Sequence, residues 1–222
     1  MNSMLEHIRN RRRELRRSID VENAFEQWEE SCVPSYVHPN FLAAYVSWKR
    51  LFVAARLANK LRPKLHRVLD FGSSVGELSH ILNYDGEYEF VESDDASANF
   101  LLSQNSRARR LTLDQASLGT YDVVFAIDSL EHNEDFGPLV AELARRLAPT
   151  GTLILSGPTE NALYRLGRRI AGFGGHYHHT TIYEIEREAG RRLELIAQRT
   201  VPFGVPLFRV TAWQHPTKAG AI

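Results

Sequence analysis

The 222-residue chain has a single cysteine, Cys32, which excludes an internal disulfide framework and a thiolate zinc cluster. That residue reads as a small apolar packing group. No excess of either charge exists: 27 Lys and Arg stand against 27 Asp and Glu, so no global basic field draws nucleic acid, and no nucleic-acid partner is expected. Long apolar runs are missing too, and none approaches the ~20 residues of a transmembrane helix. The basic N-terminus lacks the apolar core and small-residue cleavage site of a secretory signal, so a cytoplasmic protein is expected. Repeats and low-complexity segments are absent. What remains has ordinary globular composition and a length that suits one domain with a terminal addition.

The organising stretch is His66 to Leu82. A short apolar run, Val68-Leu69, reaches Asp70; a glycine-bounded turn, Gly72-Ser73-Ser74-Val75-Gly76, follows; then Leu78, Ile81 and Leu82 recur at helical spacing. The pattern predicts strand, tight turn and helix. Glycine lets the backbone approach a ligand, and the first amides of the helix are free donors at the positive end of its dipole, so an anionic or strongly polar group should bind there.

Val68-Leu69-Asp70-Phe71-Gly72-Ser73-Ser74-Val75-Gly76 resembles the first motif of the class I S-adenosylmethionine-dependent methyltransferases, with Ser74 where the middle glycine of Gly-x-Gly-x-Gly is expected. The resemblance extends from about Arg67 to the C-terminus. It implies a Rossmann-like, doubly wound α/β fold, with a mostly parallel sheet finished by an antiparallel C-terminal strand pair.

Elements read in order agree with such a chain. A helix is expected over Met1 to Glu30, with Leu5, Ile8, Leu15 and Ile19 near one face and Arg9, Arg11, Arg12, Arg13, Arg16 and Arg17 between them. It is either a solvated helix or a basic amphipathic segment for an anionic membrane or phosphorylated substrate. A second helix, from about Asn40 to Leu61, ends before Pro63, so residues 1–63 form a helical extension and 64–222 the Rossmann-like domain. Strands are expected at 67–71, 88–92, 110–113, 121–127 and 151–156, alternating with helical patterns that imply right-handed crossovers. Beyond them lie a helix from Asn161 to about Ala171, a helix capped by Thr180 or Thr181, and β-rich runs at 192–201 and 206–213.

Candidate cofactor residues cluster at predicted strand ends. Glu92 lies about 20 positions beyond Gly72, the interval at which an acid meets a ribose in Rossmann-type sites, and its carboxylate can accept from both vicinal hydroxyls. Ser93 adjoins it. By resemblance, Asp114 lies beside the adenine amino group; Asp128-Ser129-Leu130-Glu131-His132 lines the methionine side; and Asp70, with Gly72, Ser73, Ser74 and Gly76, forms or braces the first loop. The implied cofactor is S-adenosyl-L-methionine. Candidate bases are His132, His176, His178 and His179, since imidazole titrates in the useful range. No metal is expected, because no Asp or Glu completes a set with the adjacent histidines.

The expected activity is methyl transfer to an oxygen or nitrogen of a small-molecule or lipid-linked acceptor. Leu163, Leu166 and Ile170 with Arg165, Arg168 and Arg169, like the N-terminal arginines, suggest peripheral membrane contact. Oligomeric state is not encoded in these patterns. Two other readings stand: a non-catalytic binding protein that kept the fold, and a serine hydrolase, since Gly72-Ser73-Ser74-Val75-Gly76 also fits Gly-x-Ser-x-Gly with Ser74 as nucleophile. Tyr36 and His38, between the first two helices, are either packing residues or neighbours of the reacting centre.

Overall fold

The computed structural model describes residues 2–19, 32–162, 164, 180–202, 204 and 206–217. The expected helix from Asn161 and the His176-Tyr177-His178-His179 cluster therefore lie outside the described residues, apart from isolated positions at the helix start. The seven strands are β1 (Arg67–Phe71), β2 (Glu87–Val91), β3 (Ala108–Arg110), β4 (Tyr121–Ile127), β5 (Leu147–Pro158), β6 (Glu194–Val201) and β7 (Phe208–Gln214). They form one sheet in the order β3-β2-β1-β4-β5-β7-β6. Strands β1 to β5 pair in parallel, and β7 runs antiparallel to both β5 and β6. This is the Rossmann-like, mostly parallel sheet with the antiparallel closing pair that the resemblance implied.

Burial on both faces explains the apolar run Val123–Ile127 in β4: every residue of the strand from Tyr121 to Ile127 is buried, the charged Asp122 near its start pairing with Arg62. The strand period of two divides the core. Val68, Val123, Phe125 and Ile127 face one cluster with the N-terminal helices, while Leu69, Val124 and Ala126 face the other with α5 (Phe136–Arg146) and α6 (Ile182–Ala189). On the second face, α6 starts from a reciprocal Thr181–Glu184 capping box.

On the first face lie α1 (Asn2–Ser18), the single turn α2 (Val33–Tyr36) and α3 (Phe41–Leu61). The Asn40 side chain caps α3 by accepting from the Leu42 N–H at 2.9 Å. In α1 the buried stripe is Met4, Ile8, Arg11 and Leu15. Arg11 thus departs from its expected place on the solvated face: both Glu77 carboxylate oxygens receive it, at 2.9 and 2.6 Å.

Several element boundaries differ from expectation, α1 ending at Ser18 rather than Glu30 among them. The helix expected after Gly76 is only a 3-10 turn, Glu77–His80, because ten residues must carry the chain back to β2 through Asn83, Asp85 and Gly86. So short a turn supplies little of the dipole expected of a full helix. β3 begins and ends earlier than 110–113, since Thr112 and Gln115 cap a separate 3-10 turn, Leu113–Gln115. β5 outruns 151–156 at both ends; β7 pairs it from Thr152 to Pro158.

A candidate cofactor site at the carboxyl ends of β1, β2 and β4

Asp70 is the last inward-facing residue of β1 and is 2% exposed. Tyr88 of β2 donates its phenol to Asp70 Oδ2 at 2.5 Å. Burial dominates nonetheless: the carboxyl is pushed up to about 7, the Glu92 charge adding to the rise and the Tyr88 hydrogen bond opposing it.

The turn beyond Asp70 has left-handed torsions at three positions. Gly72 has φ 72° and Gly76 φ 78°, and between them Ser74 holds φ 49°. A Cβ on Gly72 would come within 2.3 Å of Ser129 Cβ, so glycine is what lets the loop after β4 close against the loop after β1. A Cβ on Gly76 would meet Leu101 of α4 (Asp95–Gln104) at 2.3 Å. At Ser74 a non-glycine residue accepts the left-handed conformation because Glu92 fixes its backbone, accepting from the Ser74 N–H at 2.7 Å. The serine thus replaces glycine without opening the turn, and its Oγ is buried without a hydrogen-bond partner among the described residues.

Glu92 follows β2 directly. Its Oε2 receives the Ser74 N–H, and its Oε1 receives the Asp94 N–H at 3.0 Å and the Ser93 hydroxyl at 3.5 Å, so Oε2 keeps a lone pair for another donor and Oε1 can exchange the long Ser93 contact for one. Arg110 braces the strand end through the Glu92 and Ser93 carbonyls, at 2.7 and 3.4 Å from its Nη2. Asp114 follows β3 on the exposed Leu113–Gln115 turn, beyond the carboxyl end of the strand beside β2, its carboxyl held below the ordinary range chiefly by the Thr112 hydroxyl.

After β4, Asp128 has φ 51° and pairs with Arg50 of α3 in a buried ion pair. Ser156 donates to its other oxygen at 3.1 Å. Ser129 packs on Gly72 with its Oγ buried and without a hydrogen-bond partner among the described residues, Leu130 is buried, and Glu131 is 1% exposed. Burial first, and the Asp128 charge second, push the Glu131 carboxyl well above the usual range. His132 is exposed at the end of the same turn.

The structure thus brings Asp70, Gly72, Ser73, Ser74, Glu92, Asp128, Ser129 and Leu130 to one sheet edge, with Ser93 at its rim. Over that edge lie residues that motif spacing does not reveal. Cys32, Tyr36 and Leu51 line a cavity with Asp70, Gly72, Ser73, Ser74, Leu78 and Ile127; its volume is about 10 Å³, room for one water. Tyr36 packs at a tilt against Trp48, ring centroids 5.2 Å apart, and the indole N–H donates to the Tyr36 carbonyl at 3.1 Å. The Cys32 thiol is pushed up to about 12, mainly by burial, which disfavours the thiolate. Among the described residues no cluster of His, Cys, Asp and Glu is arranged to hold a metal ion.

A family described as a methyltransferase domain matches residues 45–199. No curated protein sequence matches the chain. Among solved structures, a Pyrococcus horikoshii protein superposes with a TM-score of 0.67 at 18% identity, covering 86% of this chain and 99% of its own. The N-methyltransferase NodS of Bradyrhizobium japonicum, solved with S-adenosyl-L-homocysteine, gives 0.63 at 12% identity, with 78% and 88% covered. Magnesium protoporphyrin IX methyltransferase of Synechocystis, also with that product bound, gives 0.60 at 16% identity, with 80% and 88% covered. These likenesses bear on the fold, and the family match, spanning well over half the sequence from early in α3 to β6, carries the assignment. The chain belongs to the methyltransferase-domain family, the class I S-adenosylmethionine-dependent methyltransferases.

Proposed function

We propose that this protein transfers the methyl group of S-adenosylmethionine to an oxygen or nitrogen of a small acceptor that carries a lipid or a phosphate. One observation supports the cofactor half above all: the Gly72–Ser74 cradle, the Glu92 carboxylate and Ser129 converge on one edge, with two buried hydroxyl oxygens that have no partner among the described residues. The donor set fits a nucleoside with a charged amino-acid tail. Glu92 would accept from the ribose hydroxyls, Asp70 would face the positive tail, and the Ser74 and Ser129 hydroxyls would supply polar contacts. Space for it requires Tyr36 and Cys32 to withdraw, since the present cavity admits about one water.

When bound, the cofactor supplies a methyl already activated on a sulfonium. The protein's share is to hold the acceptor in line and exclude water, an effect that can supply about 7 to 11 kcal/mol in well-oriented cases. An acceptor that loses a proton needs a base at the rim, and exposed His132 is the described candidate. The acceptor class is supported by an arginine-rich helix and exposed apolar residues beside this edge.

Asp70 gives the cofactor site a pH signature. A positive ligand favours the ionised carboxylate, so affinity rises with pH up to about 7 and levels above it, and binding below that point releases a proton. Titration calorimetry near pH ~6 in two buffers of different ionisation enthalpy should show that release, and Asp70→Asn should abolish it. A proton count of zero in the wild type would remove Asp70 from the site. The sign for stability is separate: the folded Asp70 keeps a proton that the unfolded chain gives up near ~4, so its contribution is lost as pH rises through about 7.

Turnover tests the activity itself: S-adenosylhomocysteine release with lipid-linked and phosphorylated hydroxyl or amine acceptors is the expected result. Saturable cofactor binding with no turnover on any acceptor class would favour the non-catalytic reading. A serine hydrolase finds little support, since Ser74 Oγ has no histidine partner among the described residues. Absence of labelling by a fluorophosphonate is the expected result there.

A further inference from the structure

The direction of α3 places a cationic, apolar-tipped surface beside the mouth of the site. At the C-terminal end of α3, Arg62 pairs with Asp122 at 2.8 Å and donates to the Thr150 carbonyl at 3.0 Å, both at the amino edge of the sheet. Twelve residues earlier Arg50 pairs with Asp128, just beyond the carboxyl end of β4. The helix therefore runs antiparallel to β4, and Phe41 stands nine residues, about 13 Å, past the edge where the cofactor residues gather.

At that projecting end Leu42 is 69% and Phe41 37% exposed. Arginines of α1 reach Phe41 and the loop that precedes it. Arg12 lies over the Phe41 ring, 5.2 Å from its centroid, and donates to the His38 carbonyl at 2.5 Å; Arg16 donates to the Val37 carbonyl at 2.6 Å. Arg9, Arg13 and Arg17 recur every four residues along the exposed side of α1. That helix has six arginines and only two glutamates, of which Glu14 is engaged by buried Arg11, and α3 has four basic residues and no acid. Other exposed apolar side chains, such as Leu102 and Leu118, lack this setting, and single ones are ordinary surface.

We infer that this face docks the protein on an anionic lipid bilayer. Phosphate groups would occupy the Arg9–Arg13–Arg17 stripe, and Phe41 and Leu42 would enter the headgroup boundary, so the cofactor edge opens toward the membrane. A bilayer suits both halves of the surface at once: the guanidinium stripe selects anionic headgroups, and the apolar tip needs a medium that soluble phosphates do not provide. The surface stands independently of the proposed reaction, since it is read from α1 and α3.

The test is cosedimentation of the full chain, without cofactor or acceptor, on vesicles of phosphatidylcholine alone or with about a third phosphatidylglycerol. The full chain is needed because residues 20–30 add five carboxylates to the sequence. At least about tenfold more protein should bind the anionic vesicles, and high salt should release it. Arg9→Gln, Arg13→Gln and Arg17→Gln combined should lose most of that binding. Leu42→Asp should lose several-fold, while its carboxylate suits the first turn of α3 and keeps the fold. Unchanged circular dichroism and Tm in these variants would show that folding is intact. Equal binding to both vesicles, no binding to either, or a triple arginine variant that binds as the wild type does would each overturn the inference. Because no methyl transfer is read, such failure withdraws this surface's support for the acceptor class but leaves cofactor-dependent methyl transfer standing, and failure of turnover leaves the membrane result standing.

Discussion

Replacing Arg50 by methionine should lower stability by about 3 to 5 kcal/mol, among the larger costs of any single side chain in the molecule. Arg50 is 5% exposed and pairs with Asp128, while its guanidinium lies 4.1 Å from the Phe208 ring centroid and donates to the Ser47 carbonyl at 3.4 Å. Methionine would retain much of the packing against Phe208, so the loss should be mainly electrostatic. Asp128 would then be a buried carboxylate beside Glu131, which burial and the Asp128 charge already drive toward its neutral form. Adding Asp128→Asn should recover most of the loss, because the uncompensated charge disappears with the aspartate. Urea unfolding of wild type, both single variants and the double variant measures this directly, with a coupling of about 2 kcal/mol or more expected. Strictly additive losses would show that the two side chains act independently. The consequence reaches the site: Asp128 is held at φ 51° immediately before Ser129, and Ser129 is the residue that closes on Gly72. Loss of Arg50 should therefore weaken cofactor binding as well.

Local pattern carried the sheet because its causes are local. Both faces of β4 are buried, so its apolar run survives any choice of neighbour, and β1 leads into a turn whose glycines are required by left-handed torsions and by close approach of Ser129 and Leu101. Glu92 was legible for a related reason: a strand end at a fixed interval from a glycine turn places an acid at the sheet edge. Arg11 and Arg50 were not legible as buried groups. Their partners, Glu77 and Asp128, are 66 and 78 positions away, and a helix pattern reads arginine as solvent-facing unless the partner is known. The same limit applies to Tyr36, whose place over Asp70 and Gly72 depends on α3 crossing the sheet. The overextended helix after Gly76 has the opposite origin: Leu78, Ile81 and Leu82 fit helical spacing, yet the turn residues ahead of β2 stop the chain after Glu77–His80.

Glu92→Ala should reduce cofactor affinity by at least about 100-fold, the largest effect expected from any substitution at the candidate site. Two losses combine. The carboxylate gives up charge-assisted hydrogen bonds to the ribose hydroxyls, each worth about 1.5 to 3 kcal/mol when a charged acceptor is involved. It also releases the Ser74 N–H, now held at 2.7 Å, and the Asp94 N–H at 3.0 Å, so the left-handed Ser74 turn loses what fixes it. Glu92→Gln separates the two. Its amide oxygen can keep one of the backbone donors, but its NH₂ cannot accept from a second, so affinity should fall between wild type and alanine. Stability should fall less than binding, because Glu92 is only partly buried and its role is to arrange a turn rather than fill the core. Calorimetric titration with S-adenosylmethionine, alongside thermal unfolding, reads both. A Glu92→Ala protein that binds as tightly as wild type would place the cofactor elsewhere and leave Glu92 as the brace of the Ser74 turn. Collapse of binding with a preserved Tm would locate the ribose at the end of β2, and the search for an acceptor would then start from the opposite side of Gly72, under Tyr36 and beside His132.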